Sequence, residues 1–222
     1  MLTIHAADLL LPGPGRQQIA GGAVLVRDGS VVAVGPYEEL AAGNPTARVR
    51  RWPGMLTPGL VQPHGSALLE RAYHPDPRES DALGTEPLTG AALTALDMGD
   101  SRRGASARRG VQRMLAHGTV AVVGPFGRPA VADAVQRSGM RILGRAPAEG
   151  AAEEATGARA SVDPLAWRRT AAEMFASPAL DTGNRPADFA VFDAPDAETL
   201  LGTGAACCVV TVLGGRMVYR RR

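Results

Sequence analysis

The chain has no lysine: all 24 of its basic residues are arginine. Mechanisms that need a lysine Schiff base, a lysine general base or a lysine P-loop are therefore excluded. The Ala- and Gly-rich composition fits coding bias as the origin of that absence. Cysteine is scarce as well. The only two, Cys207 and Cys208, are adjacent, which leaves no disulfide framework and fits a reducing cytoplasm. On a strand they would alternate between the two faces, one inward and one outward, as packing residues. There are four Phe, three Tyr and two Trp, too few to build a stacking platform for nucleic acid. No apolar run approaches the ~18 residues that a membrane span needs. The opening MLTIHAADLL lacks a basic start and a small-residue cleavage site, which predicts no signal peptide. No G-x-S-x-G, Walker A or G-x-G-x-x-G motif occurs.

What is present is an ordinary globular composition. The chain has 222 residues, 45% of them apolar and 21% charged, enough for one domain or two small ones. Its net charge of +2 gives no charge-based case for nucleic acid. Residues 2–10 read as a strand ended by the Pro12–Gly15 turn. The run GGAVLVR, the Asp28-Gly29 turn and SVVAVG form a hairpin, followed by one or two helical turns over 37–42 and a short strand over 47–51. That pattern predicts a small antiparallel sheet. A buried strand over 55–63 then leads to His64. Residues 65–100 are rich in Pro, Gly and acidic residues and read as a long loop with a short helix near 88–97.

Beyond the loop, a helix over 104–117, the apolar strand TVAVV, a helix over 128–138 ended by Gly139 and the strand MRIL alternate as parallel βα units. Residues 146–160 read as exposed. Asp163 as N-cap and Pro164 at N1 predict a helix over 163–177. Strands over 187–193 and 206–219, the latter turning at Gly214-Gly215, end the chain as it began.

Three segments resemble the amidohydrolase superfamily, in particular its imidazolonepropionase-like members. The first is DLLLPG, VLVRDGSVVAVG and TPGLVQPHG; the second is MLAHGTVAVVG with SGMRILGR; the third is RPADFAVFDAP with VVTVLGGRMVYR. The resemblance implies a composite β-sandwich made from both termini, with a barrel between them. It also implies a metal held by a His-x-His pair at the end of the first barrel strand. Here that pair is His64 and Ser66, so it is broken. The lysine that some members use is absent. His5 lies in the predicted sandwich and His117 at a helix end, so neither matches a later ligand.

Length points the same way. Residues 58–186 number 129, room for about four βα units of ~30 residues, against ~250 for a full barrel. SVDPLAWRRTAAEMFASPAL looks like the helix after the last barrel strand, so the middle-to-late strands and their catalytic groups are expected to be missing.

The expected fold is therefore α/β: a composite β-sandwich from residues 1–57 and 187–222, and an abridged TIM-barrel-like middle over 58–186. The candidate catalytic residues are His64, at a strand end where barrel enzymes place chemistry, and Asp76 in the following loop. Ser66, His74, Arg109 and Arg113 are candidate binding residues, with Glu79 and Asp81 close by. Arg109 and Arg113 are i,i+4 neighbours in a cluster with Arg102, Arg103 and Arg108, and could clamp a carboxylate or phosphate. The plainer alternatives are a relic histidine beside a solvated acidic loop, and a solvated helix face.

The first reading of function is a degenerate, non-catalytic relative that binds a small molecule or a partner protein and carries no cofactor. The second is a hydrolase of non-peptide C–N bonds that holds zinc weakly and completes its site across a dimer. A third is a stabilising subunit of a larger enzyme. Open sheet edges predict a homodimer. No nucleic acid and no membrane are expected as partners, and the expected location is the cytoplasm.

Overall fold

The computed structural model describes residues 1–144, 161–166, 168, 170–174, 179–183 and 185–221. They fall into two compact units. The first takes Met1–Val61, Leu115–Val120 and the part from Asp163 onward; the second takes Gln62–Met114 and the part from Ala121 to Val162.

The first unit begins with β1 (Leu2–Leu10), β2 (Ile19–Ala20), β3 (Gly22–Arg27) and β4 (Ser30–Pro36). Asp28 and Gly29 both take positive φ, 49° and 86°, which fits the tight hairpin turn between β3 and β4. A short helix, α1 (Tyr37–Gly43), follows, with Glu38 and Glu39 in its first turn.

β5 (Arg48–Pro58) is one continuous strand where the sequence predicts two separate ones. Gly54 makes this continuity feasible. It holds φ +73°, donates its N–H to Asp8 Oδ2 at 2.8 Å, and leaves no room for a Cβ, which would lie 2.2 Å from the Phe192 carbonyl oxygen. β5 also corrects the purely antiparallel expectation. It pairs parallel with β1, Thr3 opposite Arg48 and His5 opposite Arg50.

β6 (Leu60–Gln62) follows, and after it the chain enters the second unit. There α2 (Gly65–Leu69), a 3₁₀ turn over Pro77–Glu79, α3 (Ser80–Leu83) and α4 (Gly90–Thr94) occupy the stretch expected to be a loop. Each is too short to show a 3.6-residue period, so composition alone cannot reveal it. Residues 73 and 88 bridge the two ends of this stretch through a mutual pair of backbone hydrogen bonds of 2.8 Å. α5 (Asp100–Leu115), β7 (Thr119–Val123), α6 (Pro129–Ser138) and β8 (Arg141–Leu143) complete the middle. Gly139, at φ +81°, ends α6 in the left-handed conformation. β6, β7 and β8 form a three-stranded sheet in that order, with β7 and β8 parallel. Among the described residues this sheet is open rather than closed into a barrel.

The expected helix over 163–177 is also corrected. Asp163 accepts the Leu165 N–H at 2.7 Å, but this closes only a turn, and α7 covers Ala171–Met174. The other carboxylate oxygen of Asp163 accepts the Ala205 N–H at 2.9 Å. Residues 167, 169 and 175–177 of that prediction, and the whole of the 146–160 prediction, lie outside the described residues.

The chain returns through β9 (Phe189–Phe192), α8 (Ala197–Thr203), β10 (Cys208–Leu213) and β11 (Arg216–Arg220). β9 pairs antiparallel with Met55–Pro58 of β5, so both ends of the chain share one eight-stranded sheet, in the order β11-β10-β9-β5-β1-β3-β4 with β2 on β1. The sheet folds over on itself. Val24, Val26 and Val31, near one end of that order, share a core with Val209, Val210 and Val212 near the other, around Leu56, Phe189 and Val191. A single sheet thus supplies both layers of the sandwich. Ser30 and Pro186 form a bridge where the layers meet.

Cys207 and Cys208 do not alternate in and out: both are buried. Cys207 sits in a 3₁₀ turn ahead of β10, so strand alternation does not govern it. Burial pushes the Cys208 thiol up to about 12.

Candidate functional site

The predicted site residues all lie in the second unit. His64 immediately precedes α2, is half-buried, and donates its backbone N–H to Gln62 Oε1 at 3.1 Å. Gln62 is itself fully buried and donates from Nε2 to the carbonyl oxygens of Ser161 and Val162, at 3.1 and 3.2 Å. Two residues past His64, Ser66 Oγ donates to Glu70 Oε2 at 3.0 Å, one helical turn on. The other oxygen of Glu70 accepts the Arg128 N–H at 2.9 Å, at the start of α6. The side chain that follows the first barrel-like strand is therefore hydrogen-bonded to a structural carboxylate.

His74 is fully buried. Its backbone N–H donates to Ser106 Oγ at 2.9 Å, and its ring Nε2 lies 2.8 Å from the Leu68 carbonyl oxygen. A carbonyl only accepts, so Nε2 carries the proton and Nδ1 is the bare nitrogen. Nδ1 has no hydrogen-bond partner among the described residues. Burial first, then the nearby Arg113 and Arg109 guanidiniums, push the imidazole down to about 4 against the opposing Leu68 bond. Gly110 of α5 makes this packing feasible, since a Cβ there would lie 2.7 Å from Nε2.

Around His74 the structure gathers Tyr73, Asp76, Glu79, Arg102 and Arg109. Tyr73 donates its phenolic O–H to Glu79 Oε2 at 2.5 Å and accepts Arg102 Nε at 3.1 Å. Glu79 pairs through Oε1 with Arg102 Nη2 at 2.8 Å and accepts the Asp76 N–H at 2.9 Å. The Tyr73 hydrogen bond, then the Asp76 N–H and Arg102, hold the Glu79 carboxyl below its usual range. Arg109 donates to the His74 carbonyl oxygen at 2.8 Å and pairs with Asp76 Oδ2 at 3.3 Å. Arg113 donates to the Thr85 carbonyl oxygen. Asp81 is exposed. Asp76, Arg109 and Arg113 thus make their described polar contacts with the chain itself.

The sequence reading missed Tyr73, the hub of this network, and Glu70. The i,i+4 spacing of Ser66 and Glu70 was the available signal for the second.

The resemblance implies a metal, and the described residues do not form a set that fits one. Ser66 Oγ is a donor to Glu70. The protonated nitrogen of His74 is bound to Leu68, and its bare nitrogen is sealed inside the protein. Among the described residues no three His, Cys, Asp or Glu side chains converge as a ligand set.

Beside Glu70 opens a cleft of about 810 Å³, lined by Arg71, Leu93, Leu96, Met98, Arg103 and Arg128 among others.

Residues 22–47 match the imidazolonepropionase-like composite domain of bacteria. The matched stretch is β3, β4 and α1, within the folded sheet. The match falls on the first of the three segments that carry the resemblance. No curated protein matches the chain. Similar solved structures include the A. niger ochratoxinase, at 20% identity and a TM-score of 0.43, covering 64% of this chain and 31% of that one. Guanine deaminase from Bradyrhizobium japonicum is similar at 17% identity and a TM-score of 0.43, covering 64% of this chain and 34% of that one. A triazine hydrolase variant is similar at 17% identity and a TM-score of 0.45, covering 64% and 35%. The chain spans about a third of the length of these structures. Among the described residues, no helix is long and apolar enough to cross a membrane.

Proposed function

We propose that this chain is an amidohydrolase relative that binds a small molecule in its second unit, without a metal and without catalysis. The observation that carries this reading is the Ser66–Glu70–Arg128 chain of hydrogen bonds. It occupies the strand-end position that the resemblance assigns to the second metal-binding histidine. A hydrolytic zinc needs several deprotonatable ligands in fixed geometry and one open position for water. Among the described residues no three such side chains converge, and His74 is turned into the core. On the same reading the chain works in the cytoplasm as a homodimer, and light scattering at micromolar concentration checks the assembly: a monodisperse monomer removes it.

Elemental analysis of the purified chain, with assays on cyclic amides and amidines, tests the main reading. The expected result is no stoichiometric zinc, no hydrolysis, and no change in either for His64→Ala. Stoichiometric zinc that is lost in His64→Ala together with a hydrolytic activity would overturn it and favour the C–N hydrolase.

A further inference from the structure

We propose that the cleft beside Glu70 receives an organic monoanion with an apolar body, held as a carboxylate by Arg71 and Arg128. This rests on the small-molecule reading above and names the class of ligand. About 810 Å³ lies within the ~300–1,000 Å³ typical of small-molecule sites. Leu93, Leu96 and Met98 give the cleft an apolar wall. Arg71 and Arg128 are exposed, and neither guanidinium has a hydrogen-bond or ion-pair partner among the described residues. The third lining guanidinium, Arg103, is steadied by its Nε–H donating to the Met98 carbonyl oxygen at 3.0 Å.

Charge selects the class of ligand. The cleft is lined by three arginines against Glu70 and Asp97, a formal excess of one positive charge. A monoanion neutralises it. Both oxygens of Glu70 already accept hydrogen bonds within the chain, from Ser66 and from the Arg128 N–H. Its carboxylate is thereby held to the scaffold while the Arg128 side chain stays available. A planar guanidinium matches a carboxylate with two parallel hydrogen bonds, which an ammonium or hydroxyl head on the ligand cannot accept in that form.

Titration calorimetry on the full chain with octanoate, octanol and octylammonium tests this. Octanoate is expected to bind saturably, about tenfold or more tightly than the other two, and to weaken as salt is raised. Arg71→Ala combined with Arg128→Ala should weaken octanoate by about tenfold or more. Both side chains are exposed and Arg128 keeps its backbone bond to Glu70, so the variant should keep its circular dichroism. Arg137→Ala, on the exposed face of α6, should bind as the parent does. Octyl phosphate binding more tightly than octanoate would replace the carboxylate by a phosphate head. Octanol binding as well as octanoate, an unaffected double variant, or no saturable binding would overturn the proposal. Any of these in a chain free of zinc and of hydrolysis removes only the ligand class, whereas zinc with hydrolysis removes the reading beneath it.

Discussion

The Trp52 indole N–H points at His5 Nδ1 across 3.3 Å, and the same imidazole meets the Phe189 ring edge-on with centroids 4.9 Å apart. The histidine that opens the chain is thereby a core residue of the folded sheet.

That placement predicts a loss of stability in mild acid. Burial, with Arg50 adding to it, pushes His5 down to about 4, and burial does the same to His74. In the unfolded chain both titrate near 6.5, so between pH 6.5 and 4 the unfolded state binds more protons. Stability is fully present above pH 6.5 and falls as pH drops towards 4, by roughly 3 kcal/mol per histidine at most. Urea midpoints at pH 7.5, 6 and 5 should decline in that order. His5→Gln, which keeps an acceptor for Trp52 without the titration, should decline less. Equal declines in parent and variant would contradict this role for His5.

Two glycines of α5 should respond in opposite directions to the same change. At Gly110 an added Cβ would lie 2.6 Å from Leu69 Cδ2 and 2.7 Å from His74 Nε2, whereas at Gly104 the closest atoms stand 3.6 Å away. Gly104→Ala should stabilise by about 0.5–1 kcal/mol, the ordinary gain of alanine over glycine in a helix. Gly110→Ala should lose that gain and cost about 1–3 kcal/mol through overpacking. Thermal melts of the two variants decide it. A Gly110→Ala melt above that of the parent would show that Leu69 and His74 have room to move.

Removing residues 187–222 takes away β9, β10 and β11 and exposes Leu56 and Val26 of the shared core. Residues 1–57 alone are expected to be unfolded by circular dichroism, because isolated hairpins are marginal and this one loses its opposite layer. A cooperative melt from that fragment would show that the first strands are self-sufficient.

How much of this was legible depends on the range of the interaction. The β3–β4 hairpin, the Gly214-Gly215 hairpin and the end of α6 at Gly139 rest on local turn chemistry, and each lies where its residues predict. The parallel pairing of β1 with β5 was not legible, since it joins residues that are far apart in the chain and share no local signal. Nor were the short helices between Gly65 and Thr94. At the candidate site, the replacement of a histidine by Ser66 was plain, and so was the arginine cluster. That His74 turns inward was not, because its burial depends on Gly110, in a helix that follows much later. Tyr73 became the hub through Glu79 from the loop and Arg102 and Arg109 from α5, the last donating from Nη2 at 3.4 Å, an arrangement that no spacing rule encodes.

Met55–Pro58 and Phe189–Phe192 are hydrogen-bonded neighbours, although all of the intervening middle separates them in sequence. The points where the chain leaves the folded sheet and rejoins it are therefore adjacent. Such a junction behaves as a fixed splice: material between the two strands can be lengthened, shortened or exchanged while every rung of the ladder outside it keeps its register. Losing βα units between them would leave both partners of this ladder in place.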